Sequence, residues 1–429
     1  MDTILAIPLA IELLGFFLLG VGVAAALNLA VYRLAWMQRS ISPWSAPLTG
    51  APRRRTADRV PIFGWWGLAR ESALHGRGFW IRPLVVELLT GCLFGGLYYW
   101  EVQRQALFPM FRAGVAAAPA LVAGDLQAVI HAQLFAHLLL FSLMIAASLI
   151  DLDEQTIPDA ITIPGTVAGL VVAAALPWSL LPAETWQLAA GPSIEFLTCT
   201  SPEAWPDWLD RAPRLGPLAI GLACWTLWCG GILPRRWNTR HGWRTAVRVF
   251  VHRLRVERLS YLVAVGWLLG AVAIALVAAR GSAASWAALL TALVGVAAGG
   301  GMIWIVRAIG AFTLKREAMG FGDVMLMSLI GAFIGWQGVL IVFFLAPFLG
   351  LVNGVLQWTL HREPEIPYGP YLCLATFFVI LKWPWLWDRG YDLFALGWLL
   401  PALLAVCFLL MGLMLWCYRT LRERAVRRA

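Results

Sequence analysis

An all-α protein that crosses a membrane many times is predicted by three observations. Of the 429 residues, 60% are hydrophobic and 13% charged, the mean hydropathy is +0.74, and uncharged apolar runs recur from one end of the chain to the other. A soluble domain carries about 45–50% apolar and about 25% charged residues, so a soluble enzyme and a disordered tail are both excluded. At about 20 apolar residues per crossing, windows along the chain predict eleven spans. They lie near 4 to 32, 83 to 100, 132 to 150, 160 to 182, 216 to 233, 259 to 279, 284 to 312, 324 to 336, 338 to 360, 371 to 387 and 394 to 417. The first has only Asp2 and Glu12 as charges, with no basic leading region and no small-residue cleavage site. It reads as a retained helix.

Arginine sets the orientation, because Lys occurs only at Lys315 and Lys382. The loop 35 to 82 carries Arg39, Arg53, Arg54, Arg55, Arg59, Arg70, Arg77 and Arg82 against Asp58 and Glu71, which predicts a cytoplasmic loop and an outside N-terminus. Counting forward, 234 to 258, Lys315 with Arg316, and the tail Arg419 to Arg428 all fall inside. The segments 183 to 215 and 388 to 393, richer in Asp and Glu, fall outside. The net charge of +9 is therefore a topology signal, and nucleic acid is not expected as a partner. Residues 234 to 258 also read as a basic amphipathic helix lying on anionic lipid. The seven cysteines form no CxxC pair and read as small apolar residues, with neither a disulfide framework nor a zinc ribbon.

Two acids open or close apolar runs: Asp151, in the stretch Asp151-Leu152-Asp153-Glu154-Gln155-Thr156-Ile157-Pro158-Asp159, and Asp323, in Gly320-Phe321-Gly322-Asp323. The orientation puts Asp151 at the cytoplasmic end of a helix running inward and Asp323 at the cytoplasmic end of one running outward. Two adjacent carboxylates share one proton and split into an acid and a base, the apparatus of aspartyl hydrolysis. Gly320 and Gly322 suit the approach of an extended substrate. Asp159 is expected to cap a helix N-terminus, and Asp153 and Glu154 to be solvated loop acids. The six histidines sit without a nucleophile elbow, so Ser/His/Asp chemistry has little support.

At these residues the sequence resembles the bacterial type IV prepilin peptidase family of GxGD membrane aspartyl proteases. Leu27 to Leu34 (LNLAVYRL) resembles the family's LN-x-x-x-YRL, and Asp58 to Trp65 (DRVPIFGW) its N-I-P-x-x-S-W segment. Arg82 to Gly91 (RPLVVELLTG) resembles RYPLVELLTG, and Asp151 to Asp159 matches DLDxxxIPD. Met319 to Val324 matches MGxGD-x, and Ile366 to Tyr371 (IPYGPY) matches IPFGPF. The resemblance implies a catalytic pair at Asp151 and Asp323. It also implies cleavage of the basic leader from type IV prepilin-like or pseudopilin precursors after a Gly, at the cytoplasmic face of the bacterial inner membrane. Many members also N-methylate the new terminus with S-adenosylmethionine. Members with that activity usually carry two CxxC pairs in the first loop, whereas residues 35 to 82 hold no cysteine. No zinc is expected there, methylation is not implied, and proteolysis itself needs no cofactor. The family's Lys two positions after GxGD is Met325. A PAL triplet at Pro401-Ala402-Leu403, as in presenilin-like proteases, falls in the last span and reads as coincidence.

The expected organisation is a first helix (1–34), a basic cytoplasmic loop (35–82), helices ending in DLDxxxIPD (83–182) and an insertion with two extra spans (183–291). A core with GFGD (292–392) and an extra span with a basic tail (393–429) follow. Two alternatives remain open from the residues: an ion- or proton-coupled transporter using the same aspartates, and a catalytically degenerate relative.

Overall fold

The structure, a computed structural model, describes residues 8–37, 41–109, 123–187, 191–211, 213–233, 248, 252, 256–315, 319–360 and 367–426. The expected amphipathic helix at 234 to 258 falls largely outside the described residues, as do Arg316, Ile366, Arg427 and Arg428. Among the described residues eleven principal helices follow one another: α1 (Leu9–Leu34), α2 (Ile81–Tyr98), α3 (Ala123–Glu154), α4 (Asp159–Ala175), α5 (Leu215–Ile232), α6 (Arg258–Arg280), α7 (Ala283–Leu314), α8 (Phe321–Leu360), α9 (Gly369–Leu381), α10 (Trp383–Phe394) and α11 (Leu399–Val426). Among the described residues eight helices are long and apolar enough to cross a membrane, nine if the bent pair α9 and α10 counts as one span. The protein is an all-α polytopic membrane protein, as helices satisfy their own backbone groups where water is absent.

The structure corrects the expected spans in two places and bears out the division of a third. The expected spans 324 to 336 and 338 to 360 are the two arms of α8, separated by a break at Gly335 (φ 68, ψ 175). The chain reverses there: a Cβ at Gly299 of α7 would touch both Met327 and Val339, from either side of the break, and Gly350 faces Tyr371 beside the start of α9. Only glycine adopts that backbone freely. The run 371 to 387 ends at Leu381, and α10 departs at 93°, because Pro384 in its first turn has no N–H to continue the preceding helix. The run 160 to 182 ends at Ala175, and a two-stranded antiparallel hairpin follows, β1 (Pro182–Gln187) on β2 (Gly191–Phe196). No strand is expected from the sequence.

The two ends of the bundle differ. At one end, Arg82 on α2 holds Asp153 on α3 at 2.5 Å, and the Trp36 and Met37 N–H groups just beyond α1 donate to Glu154 at 2.6 and 2.8 Å. At the other end, indole N–H groups clamp backbone carbonyls of the segment between α4 and α5. Trp336 donates to the Cys199 carbonyl at 2.9 Å, Trp383 to Pro182 at 2.7 Å and Trp286 to Leu209 at 3.2 Å, while Gln337 bonds the Thr198 carbonyl at 2.7 Å. Between these ends α7 and the first arm of α8 lie backbone to backbone, since a Cβ at Gly295 would fall on Gly331 and one at Gly299 on Met327. Small residues permit that approach in a membrane, and it fixes Asp323 at the end of the arm.

The loop after α1 is a folded unit. Arg54 makes two bonds of 2.8 Å to the buried Glu71 and also donates to the Ser42 and Ser45 carbonyls. Buried Asp58 accepts from Arg70 and from the Arg55 N–H. Glu87, 1% exposed on α2, gathers three donors: the Ile62 N–H at 2.5 Å, the Trp65 indole at 2.7 Å and Asn28 of α1 at 3.3 Å. Ile62 forms a positive-φ γ-turn (φ 66, ψ −64), with Phe63 N–H on the Pro61 carbonyl. Three separate sequence segments thus converge on one carboxylate.

Candidate active site

Asp151 ends α3 and Asp323 opens α8. Both are buried, at 4% and 8% exposure, and both line one cavity of about 830 Å³ at the end of the bundle that carries Arg82 and the Arg54 loop. They interact electrostatically with one another. Each is set by a glycine. The Gly369 N–H at the start of α9 donates to Asp151 Oδ2 at 3.0 Å, and Asp323 is bonded by the Gly320 backbone. Ile157 is the wedge between them, because a Cβ at Gly322 would meet Ile157 Cβ at 2.9 Å and one at Gly369 would meet Ile157 Cδ1 at 2.9 Å. Gly320 and Gly322 both line the cavity.

The neighbouring acids are engaged differently from expectation. Asp153 and Glu154 belong to the last turn of α3, where Asp153 binds Arg82 and Glu154 receives the N–H groups that follow α1. They are tethers between helices and not free loop acids. Asp159 is the first helical residue of α4, and the cap position belongs to Pro158, with no side-chain capping bond. The proline already holds the extended angles a cap needs, so Asp159 is left exposed on the cavity wall, where its charge faces the positive end of the α4 dipole. Tyr368, just outside α9, has its hydroxyl pKa pushed up, first by burial and then by the negative charge of Asp323.

Met325 is 1% exposed and lines an apolar groove beside the cavity and not the cavity itself. Among the described residues no three His, Cys, Asp or Glu side chains stand together to hold a metal ion. The residues missed from sequence are Gly369 and Ile157. Gly369 lies in the IPYGPY segment, so a signal was present, but nothing local connects it to an aspartate 218 positions earlier. A second buried pair, Glu101 with His137 at 2.8 Å, carries no motif.

The type IV leader peptidase family model matches residues 138–205 and 259–355, two stretches that contain both aspartates. Similar curated proteins are each named prepilin leader peptidase/N-methyltransferase. One from Aeromonas salmonicida is 33% identical over 93 residues, 21% of this chain and 32% of the relative. One from Pseudomonas aeruginosa is 33% identical over 99 residues, 22% of this chain and 34% of the relative. One from Xanthomonas campestris is 34% identical over 96 residues, 21% and 33%. The chain thus spans about a third of the length of the curated relatives it matches. No solved structure matches.

Proposed function

Since the chain belongs to the type IV leader peptidase family over residues 138–205 and 259–355, we propose that it is a membrane aspartic endopeptidase. It removes the leader of type IV prepilin-like or pseudopilin precursors at the cytoplasmic face of the inner membrane. The observation that carries this reading is the pairing of Asp151 and Asp323, two buried carboxylates from separate helices, on one open cavity.

The chemistry needs only these groups and water. One carboxylate, ionised, takes a proton from water as the oxygen attacks the scissile carbonyl carbon, while the other, protonated, gives its proton to the carbonyl oxygen. The tetrahedral intermediate collapses with breakage of the C–N bond as the proton held by the base passes to the leaving amine and the proton on the former carbonyl oxygen returns to the other aspartate, restoring the starting pair. Either aspartate serves as base in this scheme, because coupled sites titrate as a pair. The cytoplasmic assignment follows from the arginines of the loop 35–82 at the same end of the bundle. Glu154 and Asp159 on the cavity wall give it negative charge that suits a basic leader, Asp153 being offset by Arg82.

The relatives' names pair leader peptidase with N-methyltransferase, but the first loop here holds no cysteine, and its fold is carried by the Arg54–Glu71 and Asp58–Arg70 pairs. A zinc site does not fit these residues. The test is co-expression of a prepilin-like precursor with wild type or Asp323→Asn, followed by mass spectrometry of the product N-terminus. Leader loss with wild type alone supports the peptidase, and an added methyl mass would restore the second activity. Absence of cleavage across several precursors returns the aspartates to a transport role or to a degenerate enzyme.

A further inference from the structure

The geometry points to the groove between α5, α7 and the first turns of α8 as the seat of the precursor's membrane-embedded apolar helix, with α5 supplying the wall that selects among precursors. This rests on the peptidase reading above.

The groove encloses about 220 Å³ and is lined by Trp228 and Gly231 of α5, Ala297 and Gly301 of α7, and Phe321 and Met325 of α8, among others. Phe321 also lines the acidic cavity. Two further apolar grooves among the described residues are larger, about 1060 Å³ between α7 and α11 and about 530 Å³ among α2, α3 and α9, yet neither shares a lining residue with that cavity. A peptide whose scissile bond lies at Asp151 and Asp323 and whose next residues are apolar must leave the cavity sideways into the bilayer. Phe321 marks the place where this cavity joins an apolar groove.

The lining suits a helix. Ala297 and Gly301 are one turn apart on α7, Gly231 lies across from them, and a Cβ at Gly301 would meet nothing within 4 Å. Small residues of this kind let a second helix approach the backbone closely. One polar group is left over: the Trp228 ring is 6% exposed and stacked on Trp225 at 5.1 Å, and its Nε1 is buried with no hydrogen-bond partner among the described residues. A buried donor without an acceptor is unfavourable, and it leaves the Trp228 side of the wall less tightly bound than its stacked neighbour. The α5 wall falls between the two stretches that match the family, 138–205 and 259–355, so any selectivity it confers belongs to this chain's insertion.

The test uses the full chain in membranes. A photo-reactive residue is placed at Leu227, which lines the groove at 71% exposure, or at Leu409, which lines the α7–α11 groove at 73%. Each is irradiated with a prepilin-like precursor in the Asp323→Asn background. Cross-links from 227 to the precursor's apolar segment and none from 409 support the seat. Equal labelling, or labelling of lipid alone from 227, overturns it. In parallel, Gly301→Leu is compared with Gly412→Leu in the other groove. The expected result is at least a tenfold fall in cleavage for Gly301→Leu and wild-type cleavage for Gly412→Leu, at equal protein abundance. Wild-type cleavage by Gly301→Leu overturns the seat while leaving the peptidase standing. A wild type that cleaves nothing but cross-links from 227 supports the seat and removes the peptidase.

Discussion

Gly369 donates its backbone N–H to Oδ2 of Asp151 at 3.0 Å across 218 positions of sequence, and a Cβ at that glycine would stand 2.6 Å from the same oxygen. The carboxylate is thus held by a group that only glycine can present at this distance.

Gly369→Ala is expected to lower precursor cleavage by about 100-fold or more, since displacement of a reacting group by about 1 Å costs on that order. The methyl must push Asp151 or Ile157 aside. Cleavage rate and thermal stability of the purified variant check it: a loss of rate with a melting temperature close to wild type locates the effect at the carboxylate.

Asp151→Asn and Asp323→Asn are each expected to abolish cleavage, and the double variant to be no worse than either alone. Groups that act as one unit are grossly non-additive. Single-turnover cleavage in detergent measures all three, and a single variant that retains activity removes its residue from the mechanism.

Glu87→Ala is expected to destabilise the end of α2 and the loop before it by a few kcal/mol, because the buried Trp65 indole and the half-buried Ile62 N–H lose their acceptor at about 1–3 kcal/mol each, while Asn28 keeps the Pro83 carbonyl. Glu87→Gln keeps one carbonyl and should lose less. Melting temperature together with the emission of the buried Trp65 distinguishes the two variants.

Gly335→Ala is expected to cost about 1–3 kcal/mol, the range for a side chain held in a glycine-only region, without loss of membrane insertion. Thermal unfolding in lipid nanodiscs reads it. An unchanged melting temperature would mean that the α8 reversal does not depend on this glycine.

The Arg54 hydrogen bonds and charge hold the Glu71 carboxyl below its ordinary value of 4.5, against the opposing effect of its burial. A folded-state value below the unfolded one contributes stability that is complete above about pH 4.5 and is lost as the pH falls through the folded value. Acidification from pH 6 to 3 is therefore expected to lower the hydrogen-exchange protection factors, corrected for the intrinsic pH dependence of exchange, in residues 41–80. Arg54→Ala should show that lower protection already at pH 6, and a pH-independent protection profile in wild type would contradict the pair's role.

The sequence by itself determined the membrane character, the apolar runs, and the placement of Asp151 and Asp323 at the same end of the bundle. Hydropathy and arginine bias are local quantities, and each crossing merely alternates the side. It also carried Gly320 and Gly322 beside Asp323, because a glycine flanking an acid is visible in a short window. Only the tertiary structure decided that α10 turns off at 93°, and that Asp159 begins α4 while Pro158 caps it. The donors gathered on Glu87, the Gly369 bond to Asp151 and the groove opening at Phe321 were decided in the same way. These features depend on which helix backbones come close enough to touch, as at Gly295 with Gly331. Such contacts join residues dozens to hundreds of positions apart, and their free energy arises only when every helix is packed at once.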